Sequence, residues 1–263
     1  MTRHFEVPKA ELCMALLLFA AGALGPAAPA AAQVDAEAEQ ILRAMGEYLA
    51  SAEEFSFHAE VTYDTFSSIG QEIQYGGRAD ISVRRPDRLR VEYDGDERRN
   101  RVVYDGQRIT LYHAGKNVYA ATESDAGIDD AVDRVFEESG FSVPIADLVY
   151  ADPYAVLTES VEAGFVVGRH AVDGIRCHHL AFSQQALDWQ IWIEDGPRPL
   201  PRKLVITYKN EPGAPQYAAR ISGWDFQPRA ADGFFEFEPP PGAEEIEFLP
   251  PPPPAGLDEE VEP

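Results

Sequence analysis

The stretch at residues 84–120 constrains the fold most, because apolar and polar residues alternate through it between short turn signals. Leu89, Val91 and Tyr93 share one face of a predicted strand, and charged residues occupy the other face. This period of two is typical of a sheet that is wet on one side only. Asp-Gly pairs such as Asp94-Gly95 supply the turn residues that hairpins need. The stretch therefore predicts a meander of antiparallel strands.

The N-terminus has the features of a secretory signal peptide. Arg3 and Lys9 precede an apolar run at residues 12–24, and small residues lead to an Ala-Ala-Ala site at residues 30–32. The apolar run is shorter than the ~20 residues that a membrane-spanning helix needs. We therefore expect a signal peptide at residues 1–32 that is cleaved, and an exported protein that is not integral to the membrane.

The charge and the cysteines limit the classes of partner and the means of stabilisation. The chain has 22 Lys and Arg against 45 Asp and Glu, a formal net charge of −23. Such a field repels phosphate backbones and anionic surfaces, so we expect no nucleic-acid partner. Removal of the signal peptide leaves Cys177 alone, so a hydrophobic core and not a disulfide must hold the fold.

Helical spacing separates the strands into two blocks. Apolar residues at helical spacing between Asp35 and Ala52 predict an amphipathic first helix before the first strand block. A second apolar stripe opens a helical insert at residues 127–158, in which Asp152 is the expected N-cap of a helix that begins with Pro153. Alternation then resumes and continues to Phe226.

This order predicts an α+β protein with about ten or eleven strands in a single domain at residues 33–249. The end of the chain differs in kind, since a proline run and acidic residues fill positions 250–263. Such a composition is typical of a tail that is extended or disordered.

The densest cluster of reactive side chains is Cys177, His178 and His179, with His170 across the preceding turn. In a strand, Cys177 and His179 point to one face and His178 to the other, so at most two of these three ligate one metal ion. A zinc or copper site is one interpretation. We favour ordinary strand positions with a small buried cysteine, and predict no metal and no cofactor.

A second cluster is basic. Arginines crowd into the first strand block at Arg84, Arg85, Arg88, Arg90, Arg98, Arg99 and Arg101. They fit an anion or headgroup site, because arginine forks grip phosphate and carboxylate. Acidic residues interleave with them, however, so we favour cross-strand pairing on a solvated face.

Sequence motifs of known catalytic sites are absent. The chain has no Gly-x-Ser-x-Gly elbow, no phosphate-binding glycine loop and no His-Glu-x-x-His motif. We therefore expect a protein that is not an enzyme. Aromatic residues on the apolar strand faces form either plain core or the lining of a pocket; they are Phe57, Tyr63, Tyr93, Trp189 and Tyr208.

Several segments together resemble a family of predicted periplasmic proteins, domain-of-unknown-function family 2092. The segments are Arg84–Glu92, Tyr104–Tyr112, Cys177–Phe182, Asp188–Lys209 and Phe235–Leu249. That family is similar in turn to the outer-membrane lipoprotein carriers and to the sensor domain that regulates an envelope-stress sigma factor.

The resemblance implies an unclosed antiparallel β-barrel, a strongly curved sheet whose concave face is covered by helices and, in the carriers, takes up acyl chains. It implies a periplasmic location and no catalytic residue. The leading hypothesis is a monomeric binding or carrier protein for an apolar or lipidic ligand. The expected ligand-binding residues of the concave face are Phe57, Val61, Tyr63, Leu89, Val91, Tyr93, Trp189, Ile191, Ile193, Ile206 and Tyr208. The alternative is a sensor or interaction module that docks another envelope protein through its sheet edge or acidic surface.

Overall fold

The computed structural model describes residues 33–139 and 144–248, so the predicted signal peptide and proline-rich tail lie outside the described residues. The helices are α1 (Ala36–Ala50), α2 (Ile128–Ser139) and α3 (Pro153–Thr158), with 3₁₀ helices at Pro144–Leu148 and Asp232–Phe235. The strands are β1 (Glu54–Phe66), β2 (Glu72–Arg84), β3 (Arg88–Gly95), β4 (Arg99–Tyr104), β5 (Arg108–His113), β6 (Val118–Glu123), β7 (Ala163–Val172), β8 (Ile175–Ser183), β9 (Leu187–Glu194), β10 (Pro201–Tyr208), β11 (Gln216–Asp225) and β12 (Glu244–Ile246). Two strand blocks flank the helical insert, as the sequence predicted.

The described strands form one sheet in the order β12-β6-β5-β4-β3-β2-β1-β11-β10-β9-β8-β7. The two end strands do not pair with each other, so the expectation of an unclosed sheet is confirmed. Strand β1 lies at the junction of the two blocks, because it pairs with β2 on one side and with β11 on the other. The blocks are therefore continuous across one long strand.

The strand number and the direction of one strand differ from the prediction. The twelfth strand, β12, pairs parallel with β6, so the sheet is mostly and not entirely antiparallel. It spans three exposed residues without alternation, which is why the sequence pattern did not reveal it. Two contacts of Glu245 hold it, one from Arg108 at 2.6 Å and one from the Tyr119 hydroxyl at 3.3 Å.

The strand register aligns the apolar residues of neighbouring strands on one face of the sheet. Phe57 of β1 pairs with Ile81 of β2, which pairs with Val91 of β3, which in turn pairs with Val102 of β4. Residues that are directly opposite in a ladder share a face. These residues pack in one core with helices α1, α2 and α3, and we call their side of the sheet the inner face.

Helix α1 buries one stripe against the inner face. Leu42, Met45 and Leu49 follow each other at helical spacing and are fully buried. Gly46 is required beside this stripe, because a Cβ atom there would lie 2.7 Å from the Cβ atom of Tyr154 on α3. The predicted cap of α3 is confirmed, since the Asp152 carboxylate accepts a hydrogen bond of 3.0 Å from the Ala155 amide.

Several arginines of the cluster, Arg84, Arg90 and Arg101, lie on the opposite, outer face and act as structural partners. Glu92 accepts from Arg101 on the neighbouring strand at 2.6 Å and from Arg90 at 2.5 Å, so cross-strand pairing is confirmed there. Arg90 also donates to the Phe234 carbonyl at 2.8 Å, and Arg84 donates to Asp232 at 2.8 Å. These arginines therefore fasten the C-terminal segment across the outer face, a role that the sequence did not indicate.

Candidate functional site

A cavity of about 210 Å³ lies between the inner face and the helical insert. Its floor comes from strands β2, β3 and β4, and its cover comes from α2, the 3₁₀ helix Pro144–Leu148 and the two residues that follow it. The lining residues are Ile81, Leu89, Val91, Val102, Val132, Asp133, Val135, Phe136, Ile145, Ala146, Asp147, Val149 and Tyr150. The lining is mostly apolar, with two carboxylates and one phenol on the cover side. It is the best candidate for a binding site in the described part of the chain.

The eleven predicted site residues lie on the inner face, and the structure divides them. Leu89 and Val91 line the cavity. The others belong to the core cluster or pack against it without lining this cavity; they are Phe57, Val61, Tyr63, Tyr93, Trp189, Ile191, Ile193, Ile206 and Tyr208. Most of the aromatic residues are therefore packed as core in this state of the protein.

The cover side of the cavity is the part that the site prediction omitted. Its apolar residues on α2, Val132, Val135 and Phe136, belong to the stripe that marked this helix in the sequence. Phe136 lines the cavity and is nevertheless 56% exposed, which places its ring at the mouth. The apolar stripe of α2 was therefore the sequence feature that could have identified these residues as part of the site.

Two carboxylates give the cavity an acidic rim. The Tyr150 hydroxyl donates a hydrogen bond of 2.6 Å to Asp133, and burial together with this bond raises the pKa of Tyr150. Burial, followed by the charge of Asp133, raises the pKa of Asp147 to about 6. Asp147 has no hydrogen bond or ion pair to any described residue.

Arg85 lies close to this rim but does not neutralise it. Its guanidinium donates to the carbonyl oxygens of Val149 at 2.9 Å and of Tyr150 at 2.8 Å. Burial lowers the pKa of Arg85. The arginine therefore ties the end of the cover to the β2–β3 turn through its two terminal nitrogens, and its Nε atom has no hydrogen-bond partner among the described residues.

The histidine cluster lies elsewhere, at the β7 edge of the sheet. The Nδ1 atoms of His170 and His179 are 3.0 Å apart, and His179 Nε2 is 2.9 Å from the side-chain oxygen of Gln190. Cys177 is fully buried, and burial raises the pKa of its thiol. In residues 33–139 and 144–248, no group of three His, Cys, Asp or Glu side chains is placed to hold a metal ion.

None of the helices in the described ranges is both long enough and apolar enough to cross a membrane.

The chain has distant likenesses among known structures. An uncharacterised conserved protein from Thermus thermophilus is 11% identical, with a TM-score of 0.47 over 80% of this chain and 99% of that chain. The lipoprotein LppX from Mycobacterium tuberculosis is 15% identical, with a TM-score of 0.42 over 72% and 96% of the two chains. A LolA-superfamily protein from Nitrosomonas europaea is 11% identical, with a TM-score of 0.37 over 76% and 97%.

No curated protein matches the chain. A family model described as "Predicted periplasmic protein (DUF2092)" matches residues 38–249, the same family that the sequence motifs resemble. Since the match covers most of the chain, the protein belongs to the DUF2092 family of predicted periplasmic proteins.

Proposed function

We propose that the protein is a non-enzymatic periplasmic carrier that holds an apolar or lipidic ligand between the inner face and the helical cover. The observation that carries this proposal is the mostly apolar cavity between β2–β4 and α2. The signal-peptide features of residues 1–32 support delivery to the periplasm. The DUF2092 family, which the sequence motifs resemble, is similar in turn to lipoprotein carriers whose concavity takes up acyl chains, and this similarity supports the same class of ligand.

The size of the cavity indicates how a ligand would enter. Its volume of about 210 Å³ is below the 300–1,000 Å³ that is typical of small-molecule pockets, so a long chain requires the cover to move. Helix α2 is suited to this movement, because it buries only Ile128, Ala131 and Val135 fully. Each methylene that enters contributes about 0.8 kcal/mol, which offsets the cost of displacing the helix.

Extraction of the native protein tests the proposal directly. Protein purified from its own periplasm is expected to release one dominant class of apolar molecule, close to one equivalent per chain, in mass spectrometry of the organic extract. Protein that is repeatedly empty, at levels equal to an unrelated periplasmic protein purified in parallel, would contradict the carrier proposal.

Filling the cavity is expected to block binding. Ala146 lines the cavity from the 3₁₀ helix Pro144–Leu148, so Ala146→Phe places a ring in the space that the ligand would occupy. We expect a fluorescent apolar probe to bind at least about tenfold more weakly, since a cavity of this size has little room to repack. Fluorescence titration measures the change.

Ala155→Phe is the matched control for this variant. Ala155 is exposed on α3 and does not line the cavity, so the same substitution there is expected to leave probe affinity unchanged. If the two variants bind the probe as tightly as the native protein, the cavity is not the binding site.

A second candidate function, docking of another envelope protein, has its own observation. Strand β7 is one end of the sheet, and the N-terminal segment bridges its edge at Gly164. Phe165 and Val167 follow this bridge and are 53% and 42% exposed. A strand edge with exposed apolar side chains invites pairing with a strand of a partner. A stoichiometric protein partner, recovered from periplasm without lipid and lost in Val167→Lys, would favour this function over the carrier.

A further inference from the structure

The inner face carries two buried hydrogen-bond donors on either side of one residue. Ile206 of β10 pairs with Trp189 on β9 and with Tyr217 on β11, so the three side chains are neighbours on the same face. Trp189 is 4% exposed and Tyr217 is 7% exposed. Among the described residues, neither the indole Nε1 nor the Tyr217 hydroxyl has a hydrogen-bond partner.

Packing alone does not account for these two donors. Trp189 stacks on Phe182 with ring centroids 4.2 Å apart, which fixes the plane of the indole. A phenylalanine would fill much of either site without a polar atom. Proteins pair nearly all of their buried donors, because an unpaired one costs about 1–3 kcal/mol. Binding pockets for small molecules use a small number of precisely placed polar groups to fix the orientation of a ligand, and two unpaired buried donors can serve this purpose.

Trp189 and Tyr217 do not line the cavity themselves, but they belong to the same buried core cluster as its lining residues Ile81, Leu89 and Ile145. Asp147 lines the cavity from the cover, and its charge acts on both Tyr208 and Tyr217. Burial is the largest cause of the raised pKa of Tyr217, and the further causes are Tyr93, Tyr208 and Asp147. For Tyr208, burial is followed by Glu211 and Asp147. Each of these charged neighbours is acidic, so the surroundings of the two phenols are unfavourable for an anion.

We propose that Trp189 and Tyr217 bind the polar group of the ligand, and that this group is an uncharged hydrogen-bond acceptor such as an ester or amide carbonyl or a hydroxyl. This inference rests on the proposed function, because it places the apolar part of the same ligand in the cavity. A bare hydrocarbon would leave both donors unpaired. A carboxylate or phosphate would face Asp147 and Asp133 across a site of low dielectric constant, where like charges repel strongly.

The test compares four ligands with the same twelve-carbon chain: dodecane, methyl laurate, laurate and dodecylamine. Each is delivered from cyclodextrin at pH 7.5 and displaces a fluorescent apolar dye from the full-length mature protein. Methyl laurate is expected to bind about five- to tenfold more tightly than dodecane, because its carbonyl accepts one to two hydrogen bonds. It is also expected to bind more tightly than laurate, which the carboxylates repel, and than dodecylamine, whose ammonium group cannot accept a hydrogen bond from Trp189 or Tyr217.

Variants of the two donors then test whether they cause the tighter binding of methyl laurate. Tyr217→Phe and Trp189→Phe are each expected to remove most of the preference for methyl laurate, while dodecane affinity stays within about twofold of the native value. Tyr119→Phe is the matched control and is expected to keep the preference, because the Tyr119 hydroxyl that it removes contacts Glu245 on β12. Dodecane binding also shows that each variant is folded.

The outcomes separate the two claims. If dodecane binds but methyl laurate is no better, or if both phenylalanine variants keep the preference, the assignment of Trp189 and Tyr217 is wrong and the carrier proposal stands. Tighter binding of laurate or dodecylamine than of methyl laurate also overturns the assignment. If none of the four ligands displaces the dye, the carrier proposal fails and this inference fails with it.

Discussion

Replacement of Phe57 by alanine is expected to lower the free energy of unfolding by about 3–5 kcal/mol. Phe57 is fully buried on β1, and its ring stacks on Trp224 with centroids 4.4 Å apart. It also contacts Phe55 in a stacked geometry at 6.3 Å. Strand β1 pairs with both strand blocks, so a void at Phe57 weakens the junction on which the whole sheet depends.

Urea denaturation of the purified protein measures this loss, and Phe165→Ala is the control. Phe165 is 53% exposed, so its truncation is expected to change stability by less than about 0.5 kcal/mol. A loss below about 1 kcal/mol for Phe57→Ala, combined with weaker binding of an apolar probe, would instead make Phe57 a ligand contact. The structure favours the packing role.

Asp147→Asn is expected to stabilise the protein at pH 8 by about 2–3 kcal/mol and to have no effect near pH 4. Burial raises the pKa of Asp147 from an ordinary 3.8 to about 6 in the folded state. The folded protein therefore binds this proton more tightly than the unfolded chain does. The stabilisation that protonation provides is fully present below pH about 4 and is lost as pH rises through about 6.

Asparagine removes the charge, so the variant does not show this loss. Unfolding in urea at intervals from pH 4 to pH 8 measures the difference between the variant and the native protein. Asp125→Asn is the control, because Asp125 is exposed and lies outside the cavity. A difference between Asp147→Asn and the native protein that is constant across this range would contradict the burial of a charged carboxylate in the cover.

Local patterns in the sequence were sufficient for most of the fold. Alternation identified the strands, and helical spacing identified α1 and α2 because each buries one apolar stripe. The N-cap at Asp152 could be predicted, because its hydrogen bond joins residues that are close in sequence. The contacts of the C-terminal segment could not be predicted from local sequence, since they join Arg84 and Arg90 to residues more than a hundred positions later.

The candidate site was predictable only in part, for a related reason. Alternation shows that Phe57 and Val91 share the inner face, and the register places Ile81 between them. Yet Phe57 is packed under Trp224, whereas Val91 lines the cavity. Which inward residue is covered depends on where the helical insert packs, and local sequence does not specify that.

The polar groups of the site could not be identified in the sequence, because residues of the same types occur at many other positions. The chain has 45 acidic residues, and nothing in the pattern distinguishes Asp147 from the others. Its significance comes from burial, which the fold creates when the 3₁₀ helix Pro144–Leu148 packs over the sheet. The unpaired donors of Trp189 and Tyr217 likewise become visible only once the partners around them are known.

Photo-crosslinking tests the central claim, that the ligand lies between the inner face and the helical cover. A methyl ester with a diazirine midway along a twelve-carbon chain is irradiated with the mature protein, and the labelled peptides are mapped by mass spectrometry. The account predicts saturable labelling of β3 around Leu89 and Val91 and of α2 around Val132 and Phe136, reduced in Ala146→Phe. Labelling confined to the β7 edge around Phe165, or labelling unaffected by Ala146→Phe, would contradict it.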